Sequence, residues 1–319
     1  MKTSADMPCL LTLNGKSAGR KDVREAVERL RDGGLPLQVR VTWEGGDAAR
    51  HVAEAMAMDA RMVIAGGGDG SLNEVVNALM EYAGQGRELP SLAVLPLGTA
   101  NDFATSAGIP LEPGAALAFA RACRPRAVDV LKIEAAGETR WCVNLATAGF
   151  GTQVTVDTDP VLKRRLGGLA YLVTGLGKLG DAESANARVR GADFEWRGDY
   201  IAMGIGNGRQ AGGGNALCPE ALIDDARIDL TLVPPPPEGG QGFGEMLSVL
   251  GTALASGSNA ALAEVAVCAR SPWLALEADA PFVLNLDGEP FEARAFRIEC
   301  VPKALRLHLP PDSPLLSPA

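Results

Sequence analysis

The segment Ile64–Leu79 reads IAGGGDGSLNEVVNAL: an apolar run, four glycines around the carboxylate of Asp69, then apolar residues at helical spacing. Glycine inside a regular element costs about 0.5–1 kcal/mol relative to alanine, so this concentration implies close approach to the backbone or a φ above zero. A strand passing through glycines into a helix N-terminus presents a row of uncommitted N–H groups, which suits an anion such as phosphate. A tight strand-to-helix turn without a ligand is the other reading. A second polar cluster, Leu95–Phe103 (LPLGTANDF), follows the next apolar run. In a parallel sheet the strand ends on one side converge on a crevice, so Thr99 and Asp102 would complete the same site, or simply cap a helix. A third cluster, Phe282–Pro290 (FVLNLDGEP), reads as a strand entering an Asp-Gly turn and places two carboxylates, Asp287 and Glu289, at a rigid strand end. A solvated turn is the alternative there.

Other chemistries are disfavoured. The glycine segment matches neither the Walker loop nor the G-x-G-x-x-G fingerprint, and Asn14-Gly15-Lys16-Ser17 fails as a Walker loop because its leading glycine position holds Leu10. The two histidines, His51 and His308, make a histidine metal site or triad improbable. Six scattered cysteines without a C-x-x-C pair read as free thiols of a reducing cytosol. A net charge of -9 argues against nucleic acid and against general attraction to anionic membranes. No apolar run reaches about 18 residues, so no transmembrane helix is expected. The Leu10, Leu11, Leu13 cluster is too short for a signal-peptide core.

The elements that must position these residues follow from periodicity. Strands are expected at Cys9–Leu13, Leu37–Val41, Met62–Ala65 and Leu92–Leu95, alternating with helices at Asp22–Leu30, Asp47–Met58 and Leu72–Met80. That alternation implies a parallel sheet covered on both faces. After Pro125 the pattern changes to short strands, Val128–Ile133, Trp141–Leu145, Tyr200–Ile205, Ile228–Leu232, Phe282–Leu286 and Phe296–Val301, as in an antiparallel β domain. Helices are expected over Asp159–Leu179 and Glu245–Ala255, and the intervening Pro234–Gly244 reads as a surface loop.

The stretches GGGDGSLNEVVNAL and LPLGTANDFA resemble the diacylglycerol kinase catalytic family, which includes sphingosine and ceramide kinases; the GGDG turn is shared more distantly with NAD kinases. Leu13–Ser17, Arg40–Arg50, Ala146–Thr152, Gly204–Gly214, Asn285–Pro290 and the PPDSPLL tail extend the resemblance over nearly the whole chain, to the YegS-like bacterial lipid kinases. It implies an α/β plus β architecture. A three-layer α/β domain with a Rossmann-like parallel sheet would span 1–125, completed by a tail, 303–319, that returns to it. An antiparallel β-sandwich would span 126–302. The implied activity is ATP-dependent phosphorylation of a lipid hydroxyl, diacylglycerol or phosphatidylglycerol in type, in phospholipid biosynthesis, with ATP held between the domains. Carried over by position, ATP contacts fall on Thr42, on Gly67, Gly68, Asp69, Gly70, Ser71, Leu72, Asn73 and Glu74, and on Thr99. A magnesium site, with calcium as a substitute, falls on Leu222, Asp225 and Arg227. Glu289 matches the proton acceptor, with Asp287 as its support. Ser71 stands where those relatives carry threonine, and Asp225-Ala226-Arg227 where they carry Asp-Gly-Leu.

Two further readings stay open: a kinase of a soluble small molecule, NAD-kinase-like, and a nucleotide-binding sensor without turnover, against which the second acidic pair speaks. The resemblance implies a cytoplasmic enzyme, transiently membrane-associated. Lys163, Arg164, Arg165 and Lys178 beside Leu162, Leu166, Leu169, Leu172 and Leu176 suit a peripheral membrane contact, or a helix packing its leucines on the β domain.

Overall fold

The computed structural model describes residues 8–83, 85, 87–149, 185–235, 252 and 256–318. The helix expected over Asp159–Leu179, and with it the basic leucine-rich membrane contact, lies outside the described residues, as does almost all of Glu245–Ala255. The chain forms two units, Met1–Val130 with Pro302–Ala319, and Leu131–Val301.

In the first unit β1 (Cys9–Asn14), β2 (Leu37–Thr42), β3 (Met62–Gly67) and β4 (Ser91–Pro96) lie parallel in the order β2-β1-β3-β4. The end of the last strand, β16 (Glu289–His308), joins β4 in parallel, Leu307 opposite Leu92. Among the described residues the α-helices of this unit are α1 (Lys21–Asp32), α2 (Asp47–Ala57), α3 (Asp69–Met80), α4 (Asp102–Ala107) and α5 (Pro113–Ala122). Strand residues of one parity, Cys9, Leu11, Ile64 and Leu95, pack with Val23, Val27 and Leu30 of α1 and Leu117 of α5. Leu10, Val63, Leu92 and Val94 of the other parity are buried as well. Both faces of the sheet are therefore covered, which is why its strands read as continuous apolar runs.

Helix α5 was not expected from periodicity. It is started by chemistry instead: Pro113 occupies its first turn, and the Glu112 carboxylate accepts the N–H groups of Gly114 and Ala115. The tail returns to this unit, as expected. Leu315 is fully buried, and the Ser313 hydroxyl donates to the Ala107 carbonyl at 2.8 Å.

The second unit is antiparallel. Its strands are β5 (Pro125–Ala135, entering from the first unit), β6 (Glu138–Cys142), β7 (Leu145–Gly149), β8 (Ala185–Arg190), β9 (Glu195–Tyr200), β10 (Ala202–Gly206), the short pair β11 (Gln210–Ala211) and β12 (Asn215–Ala216), β13 (Ile228–Val233), β14 (Val267–Ser271) and β15 (Trp273–Leu286). A short helix, α6 (Asn259–Val265), precedes β14. The order β14-β13-β10-β7-β15-β16 is hydrogen-bonded throughout, and β8–β9 adds to β15. The register of β15 breaks between Glu277 and Phe282: residues before the break pair with β8, residues after it with β7. One long strand thus serves two layers, the device by which a sandwich turns its corner. The expected strands Phe282–Leu286 and Phe296–Val301 are parts of β15 and β16. Expected strand Trp141–Leu145 is instead two, interrupted at Val143-Asn144, and Tyr200–Ile205 is divided at Ile201.

His308 ties the tail to the sheet. Its Nε2 lies 2.9 Å from Ser91 Oγ and its Nδ1 lies 2.9 Å from the Cys123 carbonyl, so the neutral ring carries its proton on Nδ1 and donates it there. Burial is the largest effect on this imidazole and lowers its pKa from 6.5, with Arg61 and Arg306 adding to the shift. A folded-state pKa below the unfolded one means that the unfolded chain binds the extra proton first, so stability falls as pH drops below 6.5. Replacement of His308 by glutamine is expected to flatten this part of the pH dependence, measured as urea midpoints between pH 7 and 5. An unaltered slope would show that the loss arises elsewhere.

Candidate functional site

The sheet order places β1 between β2 and β3, so the chain leaves β1 to one side and returns on the other. This reversal is the position at the carboxyl ends of the strands where open α/β sheets take ligands. The glycine segment sits there. Strand β3 runs through Gly67 and α3 begins at Asp69, so the strand and helix are longer than periodicity implied and a single residue, Gly68, joins them. The N-cap of α3, Gly68, has no side chain to cap it, and the helix's first hydrogen bond runs from Leu72 N–H to the Gly68 carbonyl, leaving the amides of Asp69, Gly70 and Ser71 ahead of it.

The glycines are needed for proximity and not for positive φ. Gly68 has φ -92°, and no residue from Gly66 to Gly70 has φ in the left-handed region. A Cβ on Gly67 would lie 2.2 Å from Ser71 Oγ, one on Gly68 3.2 Å from the Gly98 Cα, and one on Gly98 2.5 Å from the Gly68 Cα. The two polar clusters therefore meet backbone to backbone. Asp69 fastens the same junction: its Oδ2 accepts the Asp102 N–H and its Oδ1 the Phe103 N–H, both at 3.0 Å. Its carboxylate thus caps α4 across the crevice. Asn101, at φ 52°, closes the Gly98–Asn101 turn by accepting the Gly98 N–H at 2.8 Å and donating to the Gly98 carbonyl at 3.0 Å. Thr99 lies exposed on that turn.

The remaining expected contacts line the same edge or turn from it. Asn14 donates from Nδ2 to Ser71 Oγ at 3.2 Å, bridging the β1 end and the α3 start; periodicity had offered no signal for this. Thr42 Oγ1 accepts the Gly15 N–H at 3.3 Å. Beyond it Trp43 is 94% exposed, on a loop held by the Asp47 carboxylate, which accepts the amides of Trp43 and Glu44. The Glu44 and Trp43 amides, in that order, pull the Asp47 pKa down to about 2. Leu72 and Asn73 are buried, Asn73 accepting from Asn77 Nδ2 at 2.6 Å, whereas Glu74 is exposed.

In the second unit Leu286 pairs with Glu289, and Asp287 (φ 50°) with Gly288 (φ 104°) forms the two-residue connection. Positive φ at both positions is the type I′ hairpin turn that Asp-Gly favours. The Asp287 side chain turns inward. Its Oδ1 accepts the Leu145 N–H at 2.9 Å, and its Oδ2 those of Val143 and Asn144 at 2.9 and 3.4 Å. These bonds occupy the Val143 and Asn144 amides between β6 and β7 and the Leu145 amide that opens β7, at the interruption between the two strands. The Cys142 thiol is driven far up by burial and by the Asp287 charge, so it stays protonated. Glu289 is exposed at the start of β16. Arg140 steadies its neighbour, donating from Nη1 to the Pro290 carbonyl at 2.9 Å and stacking 4.2 Å above the Phe291 ring.

Of Leu222, Asp225 and Arg227 only Asp225 brings a carboxylate, and that carboxylate already has partners within the protein. Asp225 Oδ1 accepts the Arg227 N–H at 3.0 Å, and its Oδ2 is paired with the Arg270 guanidinium, which also reaches Asp229 Oδ2 at 3.2 Å. Asp229 is raised to about 6, burial outweighing the opposing effect of Arg270. Ala226 sits at φ 59°, the left-handed conformation that favours glycine. Among the described residues no group of three or more His, Cys, Asp and Glu could hold a metal ion. The one carboxylate of the expected set is already committed to donors, so the residues present do not fit a resident metal.

Comparison with known proteins agrees with this arrangement. Residues 8–133 match the model of the diacylglycerol kinase catalytic domain, and residues 144–309 that of the YegS C-terminal NAD kinase beta sandwich-like domain. A protein of Stenotrophomonas maltophilia named "Probable lipid kinase YegS-like" is 54% identical over 306 residues, covering 96% of this chain and 97% of that one. A Pseudomonas aeruginosa protein of the same name is 48% identical over 308 residues, covering 96% of each. The crystal structure of a diacylglycerol kinase from Bacillus anthracis superposes with a TM-score of 0.70 over 95% of this chain and 97% of that one, at 21% identity, a likeness of fold.

The junction of the two loops yields a direct expectation. Gly98→Ala has no flexible side chain to displace at 2.5 Å, only the Gly68 backbone. It should lower stability by about 1–3 kcal/mol, read as a lower urea midpoint with an unchanged slope. An unshifted midpoint would mean that the loops separate without loss.

Proposed function

Because the chain belongs to the family of the diacylglycerol kinase catalytic domain, followed by a YegS C-terminal domain, we propose that it is an ATP-dependent lipid kinase. The observation that carries this reading is the N-terminus of α3, whose N-cap is the glycine Gly68, at the point where the sheet order reverses. Amides of Asp69, Gly70 and Ser71 would take the ATP phosphates, with Gly67 and Gly68 admitting them to the main chain. Thr42 and Thr99, on the same edge, would complete the nucleotide contacts. Asp69 would act at one remove, by holding α4 and the Thr99 turn in place.

In the transfer, the acceptor hydroxyl oxygen forms a bond to the γ-phosphorus as the bond from that phosphorus to its bridging oxygen breaks, and ADP leaves. The hydroxyl proton passes to the carboxylate of Glu289, which is exposed and thus open to an acceptor. Asp287, bonded to three backbone amides, positions the hairpin that carries it. Phosphoryl transfer asks for positioning and charge neutralisation more than covalent help. Magnesium enters this scheme as the counterion of ATP. The acceptor would be a diacylglycerol- or phosphatidylglycerol-like lipid, met from the cytoplasm as a step of phospholipid biosynthesis. Among the described residues no helix is long and apolar enough to cross a membrane.

ATP consumption with lipid-containing micelles and without them separates this reading from its rivals: a soluble-acceptor kinase is indifferent to lipid, and a sensor turns over in neither. Identification of the labelled product then gives the acceptor. Glu289→Gln should leave ATP affinity nearly intact while lowering turnover by about 10²–10⁴-fold. Normal turnover in that variant together with an inactive, folded Asp287→Asn would exchange the two roles, and full activity in both would place the base elsewhere.

A further inference from the structure

The Leu222–Asp229 segment concentrates negative charge where little water reaches it. The side chains of Asp225 and Asp229 are 16% and 12% exposed, and both carboxylates face the same guanidinium. Two carboxylates so placed need a cation between them. Arg270 meets both: its Nη2 pairs with Asp225 Oδ2, and its Nε lies 3.2 Å from Asp229 Oδ2. Its position is set by the sheet, since Arg270 stands directly opposite Asp229 in the antiparallel β13–β14 pair. Strand register therefore delivers the guanidinium to the pair, and the planar fork of arginine can serve two carboxylates at once. The other charged groups around Asp229 do not replace it. Glu220 adds negative charge, and Arg209 spends its Nε on the Ala221 carbonyl at 3.0 Å.

The turn before β13 is closed from within as well. Asp225 Oδ1 accepts the Arg227 N–H, and Ala226 adopts the left-handed conformation that this closure requires. A metal arriving at Asp225 would have to displace the Arg270 bond and then share its surroundings with a guanidinium fixed by the strand.

We infer that Arg270 is a built-in cation standing in place of a divalent metal at Leu222–Arg227, so that this segment holds its fold without one. Any divalent requirement of turnover then belongs to the nucleotide. The inference concerns the second unit alone and holds whether or not the acceptor is a lipid.

Thermal unfolding of the full chain without nucleotide tests it, in a chelator and then with calcium or magnesium chloride up to on the order of 10 mM, a range that reveals weak oxygen-ligand sites. Wild type is expected to respond to the metals no more than Asp225→Asn does. Arg270→Gln should melt lower in chelator and regain about 2–4 °C with calcium, because the opened carboxylate pair then accepts the ion. Arg270→Lys, which keeps the charge, should show a smaller gain. A metal-dependent rise in wild type that Asp225→Asn abolishes overturns the inference, as does an Arg270→Gln protein that folds yet gains nothing from either metal. Should Arg270→Gln fail to fold, calorimetric titration of calcium into wild type and into Asp225→Asn decides: saturable binding in the first alone refutes the built-in cation, and equal responses uphold it.

Discussion

The contact between Gly68 and Gly98 is the constraint on which the candidate site depends. Two main chains can approach this closely only where neither carries a Cβ, and each glycine here is shaped by the other. Their approach brings the start of α3 to the start of α4, and the Asp69 carboxylate then spans from the start of one helix to the amides of the other. A negative group at a helix N-terminus is stabilised by the dipole and by the amides it accepts. The same two loops carry Thr99 and the free end of α3, so any shift at the glycine contact would move the whole row of donors.

The second unit uses a carboxylate in a similar way, on a different element. Asp287 lies in a type I′ turn whose geometry would otherwise leave its side chain at the surface, yet the carboxylate is buried against three successive amides. Two of those amides, of Val143 and Asn144, belong to the gap between β6 and β7, and the third, of Leu145, opens β7. One acidic residue therefore closes a hairpin, satisfies an interruption in the sheet and fixes the start of β16, on which Glu289 stands.

Arg270 shows the same economy with the sign of charge reversed. Cross-strand register, a property of the whole sheet, brings a guanidinium to two aspartates that differ by four positions in sequence. In each of the three places an ionised side chain bonds backbone or an opposite charge at some distance along the chain. These polar fastenings hold the segments that periodic apolar burial leaves free.

The alternation of α1, α2 and α3 with β1 to β4 was legible because apolar spacing reports which face of an element is buried, and this needs no partner to be named. The family motifs were legible for a related reason: a run of glycines, or an Asp-Gly pair, restricts the local backbone wherever it occurs. The destination of a side chain is a different kind of fact. The amides that Asp69 accepts lie 33 and 34 positions away, and the guanidinium that meets Asp225 lies 45 positions on, so neither partner is visible from the local sequence. Whether the glycines served φ or proximity was likewise hidden until the Gly98 loop was placed against them. Local sequence determines which elements can form and which faces they bury. Only the tertiary structure decides which donor meets which acceptor, because that choice depends on groups far along the chain whose positions the packing of the sheets fixes.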